Sequence, residues 1–202
     1  MFIIKKRFSF ILIIASFLIT TNVFAATYTV QKGDSLWKIA VKYQIGLSEI
    51  IAANPQIKNP SLIYPDQKIT IPEKNWQAQN YEMEVVRLTN VERSKNGLKA
   101  LTNNWELQRV AGYKARDMTD RNYFSHDSPT YGSPFNMMKS FGIRYSSAGE
   151  NIAKGQKTPQ QVVNAWMNSS GHRANILNSN YTQIGVGYDS RSNSWVQMFI
   201  RP

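Results

Sequence analysis

The chain has 202 residues and not one cysteine. That excludes a disulfide framework and any cysteine nucleophile, so stability outside a cell would have to come from core packing alone. Histidine is nearly as scarce, with two in the whole sequence, His126 and His172. Acid is short as well. Thirteen Asp and Glu face 24 Lys and Arg, for a net charge of +11. A basic balance of this size suits anionic polymers, and for an exported protein these would be teichoic acids and the carboxylates of wall peptides. A nucleic-acid partner is not expected, because no stripe of alternating basic and aromatic residues is present and the N-terminus reads as an export signal.

Long apolar runs are confined to that N-terminus. Lys5, Lys6 and Arg7 precede the run Phe8 to Ile19, and Val23-Phe24-Ala25 supplies the small residues of a cleavage site. This is the pattern of a signal peptide over residues 1–25, with Ala26 as the neighbouring alternative cut. Cleavage would leave 177 residues and, without the three basic residues of the signal, a net charge of +8. No later stretch approaches the roughly 20 apolar residues a membrane helix needs, so no transmembrane segment is expected after cleavage.

Residues 27–72 read as a self-contained β-α-α-β unit. Tyr28-Thr29-Val30 is a short strand broken by Gly33-Asp34-Ser35, where Asp34 or Ser35 can cap a helix with Leu36, Ile39, Ala40 and Tyr43 on one face. A second helix is expected from Ser48, as its cap, to Ala53, ending at Asn54-Pro55. Pro65-Asp66 then turns into the strand Lys68 to Ile71. Three ordered segments, Tyr28 to Ala40, Ile50 to Pro55 and Ile63 to Pro72, resemble a LysM domain. Asp66 stands where that family usually has glycine. The resemblance implies binding of N-acetylglucosamine-containing glycans, chiefly peptidoglycan. The groove would lie between Gly33, Asp34, Ser35 and Leu36 on one side and Asn54, Pro55, Ile63 and Tyr64 on the other. Ile63 and Tyr64 could equally pack the small core. A polar linker, 73–80, follows, and Trp76 within it could dock on either neighbour.

From Tyr81 to Pro202 the pattern changes. One helix carries Tyr81, Val85, Leu88 and Val91 and stops at Gly97; a second is capped by Asn104 and carries Leu107, Val110, Ala111, Ala115 and Met118. Ser133-Pro134 opens a third, with Phe135, Met138 and Phe141 apolar, and Thr158-Pro159 opens a fourth, with Val162, Val163, Trp166 and Met167 buried. Gln183 to Tyr188 and Trp195 to Ile200 read as strands, with another near Ser147 or Ile152. The fold class is α+β: the small β-α-α-β module followed by an α-β-α sandwich.

Five ordered motifs in this half resemble the CAP superfamily, the SCP-like domain. They are Leu88 to Arg93, Phe124 to Pro129, Gly149 to Ala153, Gly171 to Leu177 and Ile184 to Tyr188. The full order of signal, LysM and CAP is similar to bacterial YkwD-type proteins, including those of spore-formers, which implies secretion and association with a cell wall or spore envelope. The family's cavity is lined by two histidines and two acids. His126, Glu150 and His172 match three of these, but the stretch Met167-Asn168-Ser169 has no carboxylate to supply the fourth. Two imidazoles and one carboxylate form a candidate set for a divalent metal such as zinc with an open position. They also suit a histidine base, a histidine acid and an orienting carboxylate, or a polar network with no chemistry. No Gly-x-Ser-x-Gly elbow surrounds Ser125 or Ser147, so a serine hydrolase is not expected. Two functions follow. One is a wall-bound protein whose CAP cavity receives a protein, lipid or glycan ligand. The other is a metal-assisted wall hydrolase, which the missing acid disfavours.

Overall fold

The computed structural model describes residues 26–73 and 75–202; the signal segment, 1–25, lies outside the described residues. The first module pairs strand β1 (Ala26–Thr29) with β2 (Lys68–Ile71) in antiparallel register, Tyr28 opposite Ile69. Helices α1 (Leu36–Tyr43) and α2 (Leu47–Ala52) cover this hairpin. The core is aliphatic: Val30, Leu36, Ile39, Ala40, Ile50, Ile57, Ile69 and Ile71 are all buried together. Ser35 caps α1, its hydroxyl accepting the Lys38 amide at 3.2 Å. Ser48 does not cap α2. Gly46 occupies that position, and the Ser48 hydroxyl donates instead to Glu49 Oε2. Asp66 adopts φ 68°, the left-handed conformation for which glycine is the usual choice and which Asp tolerates.

The expected linker is mostly helix. Asn75 accepts the Ala78 amide at 3.0 Å and starts α3 (Trp76–Lys95), so only Glu73 to Asn75 separates the modules. Trp76 is 69% exposed and docks on neither neighbour. A side-chain cap followed by proline- and glycine-free sequence is enough to start a helix, and polarity alone does not mark a linker. The modules meet at an ion pair, Arg109 Nε on helix α4 (Trp105–Asp120) to Glu49 Oε1 on α2 at 2.9 Å. A Cβ on Gly46 would lie 1.8 Å from Glu49 Oε2 and 2.6 Å from Arg109 Nε, so the bare glycine makes room for that pair.

The second module is a three-layer sandwich. Its sheet runs β3 (Thr102–Asn103), β5 (Gln183–Asp189), β6 (Ser194–Arg201), β4 (Ser147–Lys154), with β4 an edge strand antiparallel to β6. Helices α3, α6 (Pro159–Met167) and α7 (Ser170–Ile176) pack on one face with Ile184, Val186, Trp195 and Phe199. Helices α4 (Trp105–Asp120) and α5 (Pro134–Ser140) pack on the other with Ile152, Val196, Met198 and Ile200. The period-2 alternation of β6 sends successive residues into the two cores. Gly185 and Gly187 explain the Ile184-to-Tyr188 motif. A Cβ on either would come within 2.2–2.3 Å of the α4 backbone, so α4 rests directly on bare strand.

Several expectations change at residue level. Phe135 on α5 is 43% exposed and Met137 takes its place in the core; Val91 is likewise at the surface. Helix α7, which carries His172, has no counterpart in the sequence reading. Arg93 shows why its motif matters: fully buried, its guanidinium donates to the carbonyls of Lys99, Ile176 and Asn178 and so ties α3 to the end of α7.

Candidate functional site

In the first module a groove of about 210 Å³ opens between the β1–α1 loop and the segment before β2. Asp34, Ser35, Leu36 and Ile63 line it, together with Trp37, Leu47, Pro60 and Ser61, which the sequence reading did not select. Trp37 is 61% exposed and offers the flat apolar face a sugar ring stacks on. It stands off the buried stripe of α1, and an aromatic residue on the solvent side of an amphipathic helix was the available signal. Asp34 shapes the loop, its Oδ2 accepting the Tyr28 hydroxyl at 2.7 Å and the Gln31 amide at 2.8 Å. These hydrogen bonds hold its carboxyl below the usual range.

The other expected residues do not line the groove. Gly33 supplies a left-handed turn at φ 91° beside it. Asn54 is buried. Its amide donates to the Ile50 and Thr70 carbonyls and its Oδ1 accepts the Thr70 amide, so it stitches α2 to β2 and presents nothing to a ligand. Pro55 follows it, exposed, away from the lining residues. Tyr64, 60% exposed, belongs neither to the core nor to the groove lining.

In the second module three motifs converge on the β4 edge. Glu150 projects toward the α4 side, and its Oε1 lies 2.7 Å from His126 Nδ1. The Glu150 side chain is 1% exposed and that of His126 is 51% exposed, so the pair links the interior to the surface. With Glu150 ionised and the ring neutral, Nδ1–H donates to Glu150 and Nε2 is left as an acceptor. Glu150 Oε2 is buried with no hydrogen-bond partner. Asn151, the next residue, points to the opposite face. It donates to the His172 carbonyl at 3.1 Å, while Asn175 donates to the Glu150 carbonyl and to Asn151 Oδ1. These bonds join the Gly149-to-Ala153 motif to the Gly171-to-Leu177 motif and fix α7 beside the edge strand. A Cβ on Gly149 would come within 2.5 Å of the Tyr181 hydroxyl.

The residue that organises this site was not among those expected. Lys114 occupies a position in the apolar stripe of α4, between Val110, Ala111 and Met118, and is fully buried. Its ammonium donates to the His126 carbonyl and lies 5.1 Å from the Tyr123 ring centroid. Burial pushes its pKa down, against the opposing pull of Glu150, Asp117 and Asp127. One turn on, Asp117 accepts the hydroxyls of Tyr123, Ser128 and Thr130, which folds the loop that delivers His126. A lysine inside an apolar helical stripe was the sequence signal.

The electrostatics separate the two histidines. The hydrogen bond that His126 donates to Glu150 raises the His126 pKa, partly offset by burial and by Lys114. Burial, and then the charge of His126, lower that of His172. Burial raises the Glu150 pKa, with His126 and Lys114 acting against it. As a three-ligand zinc site the set does not fit: among the described residues no three His, Asp or Glu side chains are placed to hold a metal ion.

Residues 86–199 match the family model of the cysteine-rich secretory protein (CAP) family, and the chain belongs to that family. Residues 28–72 form a LysM domain. Protein YkwD of Bacillus subtilis (strain 168) is 64% identical over 120 residues, which cover 59% of this chain and 47% of YkwD. SpoIVD-associated factor A of the same organism is 53% identical over 45 residues, 22% of this chain and 12% of that protein. The crystal structure of an extracellular SCP-domain protein from Bacillus anthracis superposes with a TM-score of 0.60 at 35% identity, covering 68% of this chain and 47% of that one. The chain therefore spans less than half the length of these relatives.

Proposed function

We propose that the chain is an exported, wall-associated binding protein. Its LysM groove holds N-acetylglucosamine-containing glycan of peptidoglycan, and its CAP domain presents the His126–Glu150 pair, with His172 nearby, to a ligand or partner. The observation that carries this reading is the groove itself. It combines an exposed indole at Trp37 with apolar walls at Leu47 and Ile63, beside a loop whose polar groups are held in place by Asp34. The extracellular SCP-domain relative supports export to the outside of the cell, where the wall polymer lies. Among the described residues no helix is long and apolar enough to cross a membrane.

At the second site a ligand bearing an N–H or O–H group would find an acceptor at His126 Nε2, and the partnerless Glu150 Oε2 lies behind it. One carboxylate, held by a histidine and nearly buried, suits recognition better than two-carboxylate hydrolysis. The test is co-sedimentation of residues 26–202 with insoluble peptidoglycan, with and without an N-acetylglucosamine tetramer as competitor. We expect pelleting that the tetramer relieves. Pelleting unaffected by the tetramer would overturn the glycan assignment. Release of soluble wall fragments by the protein, lost in Glu150→Gln, would make the CAP domain a hydrolase instead.

A further inference from the structure

A second, larger cavity lies where the two modules meet. It has a volume of about 730 Å³, within the range of small-ligand sites, which favour domain interfaces. The α1–α2 turn and the first turn of α2 give Ile45 and Glu49 to this cleft, while Leu47 at the start of α2 lines the glycan groove. The two sites are thus opposite sides of one short segment.

The polar groups in the cleft are unevenly satisfied. Arg109 is paired with Glu49, and Arg191 with Asp120 and Asp189. Arg116 is exposed, stacks over the Tyr113 ring at 4.6 Å and makes no ion pair among the described residues. Facing it electrostatically is Glu82, whose two oxygens accept from Gln108 Nε2 at 2.7 Å and the Tyr188 amide at 3.0 Å. Each carboxylate oxygen keeps a further lone pair. Gln79 Oε1, which lines the same cleft, is buried with no donor at all. The cleft therefore offers unfilled acceptors on α3, an unpaired guanidinium on α4, and a half-buried Trp105 in its lining. A ligand that fits must carry both N–H donors and a carboxylate.

We propose that this interdomain cleft binds the peptide branch of peptidoglycan, with amine or amide N–H groups on Gln79 Oε1 and Glu82 and a free carboxylate on Arg116. The inference rests on the glycan reading of the neighbouring groove for its choice among peptides, since a wall polymer carries such peptides directly on its glycan. The glycan would lie along Leu47 and Trp37, and its peptide would pass round the α1–α2 turn. The three ligand-holding groups belong to the second module, while the first closes the cleft with Ile45 and, through the Glu49–Arg109 pair, stays fixed against it.

The test is titration of residues 26–202 by NMR or calorimetry with three probes. They are the N-acetylglucosamine tetramer, the free tetrapeptide released from the wall by amidase, and the disaccharide-tetrapeptide released by muramidase. We expect the tetrapeptide to bind, and Arg116→Ala to weaken it and the disaccharide-tetrapeptide about ten-fold, as expected for loss of a charge-assisted pair. Tetramer binding should be unchanged in Arg116→Ala and reduced in Trp37→Ala. A tetrapeptide that does not bind, or binds equally to Arg116→Ala, overturns the cleft while leaving the glycan groove standing. Tetrapeptide binding that depends on Arg116, with no tetramer binding, supports the cleft and overturns the glycan reading instead.

Discussion

The two modules build recognition surfaces in opposite ways. The LysM groove presents side chains that folding does not use: Trp37 and Leu47 line it while 61% and 41% exposed, beside a buried core that is aliphatic. The CAP site is made of side chains that folding must accommodate, with Glu150 at 6% and Lys114 at 0% exposure. In the first, binding and stability are separable. In the second they are the same interactions, because a buried charge is tolerable only while its partners remain. The family is named for cysteines that this chain lacks, and part of what fixes its CAP loops is this polar network: Lys114 and Asp117 under the His126 loop, Arg93 under α7.

The largest effect expected from this contrast is at Lys114. Lys114→Met keeps most of the volume but removes the nearby positive charge that favours ionised Glu150 and frees the part-buried His126 carbonyl, so the CAP domain should lose about 3 kcal/mol in urea denaturation. Adding Glu150→Gln should restore part of that loss, because both buried charges are then gone. If the single substitution is neutral, or the double variant is worse than additive, the buried network does not hold the site as described.

The LysM module contains its own control for the comparison. Asn54→Ala removes hydrogen bonds to two carbonyls and one amide across α2 and β2, and should destabilise the module by about 2 kcal/mol. Trp37→Ala touches no core and should leave the melting temperature within about 1 °C while lowering peptidoglycan affinity about ten-fold. Thermal scans and sedimentation on both variants decide it. A Trp37→Ala protein that unfolds, or an Asn54→Ala protein that is folded but does not bind, would reverse the roles assigned to the two residues.

What the sequence revealed follows the same division. Periodicity located the apolar faces of α1, α4 and α6 and the strands β5 and β6, because burial of whole faces leaves a regular imprint. The motif residues His126 and Glu150 were legible, and the structure brings them within hydrogen-bonding distance. For Lys114 the one signal was a charge inside an apolar helical stripe, which marks a buried cation without naming its partners, and Asp117 carried no signal because its three hydroxyl partners come from a loop that only the fold places. Asn54 was misjudged for the related reason that a loop asparagine can face a ligand or the backbone, and only the fold decides. Helix α7 escaped because Ser170 to Ile176 is too short for a repeating pattern, and it is held by Arg93 and Asn151 from distant parts of the chain.

The smallest effect expected is also the one that reads the CAP site most directly, the separate titration of its two histidines. His126 should titrate above its ordinary 6.5, held up by Glu150, and His172 below it, held down by burial and by the neighbouring charge. These shifts have opposite consequences for stability. The His126 contribution is present below 6.5 and is lost as pH rises through its elevated folded value. His172 gives up a proton on folding, so its term works the other way, gaining stability as pH rises from its depressed folded value toward 6.5. Glu150, raised above its ordinary 4.5 by burial, adds to the His126 side, since the folded form keeps a proton the unfolded chain releases. Between pH 5 and pH 8 the wild type should therefore show partly cancelling terms, and His172→Gln should lose stability more steeply with rising pH than the wild type does. Proton NMR of the imidazoles, feasible because the chain has two, should also show Glu150→Gln lowering the His126 value. Two histidines that titrate together, with no response to Glu150→Gln and an unchanged pH slope in His172→Gln, would dissolve the site into unrelated surface residues.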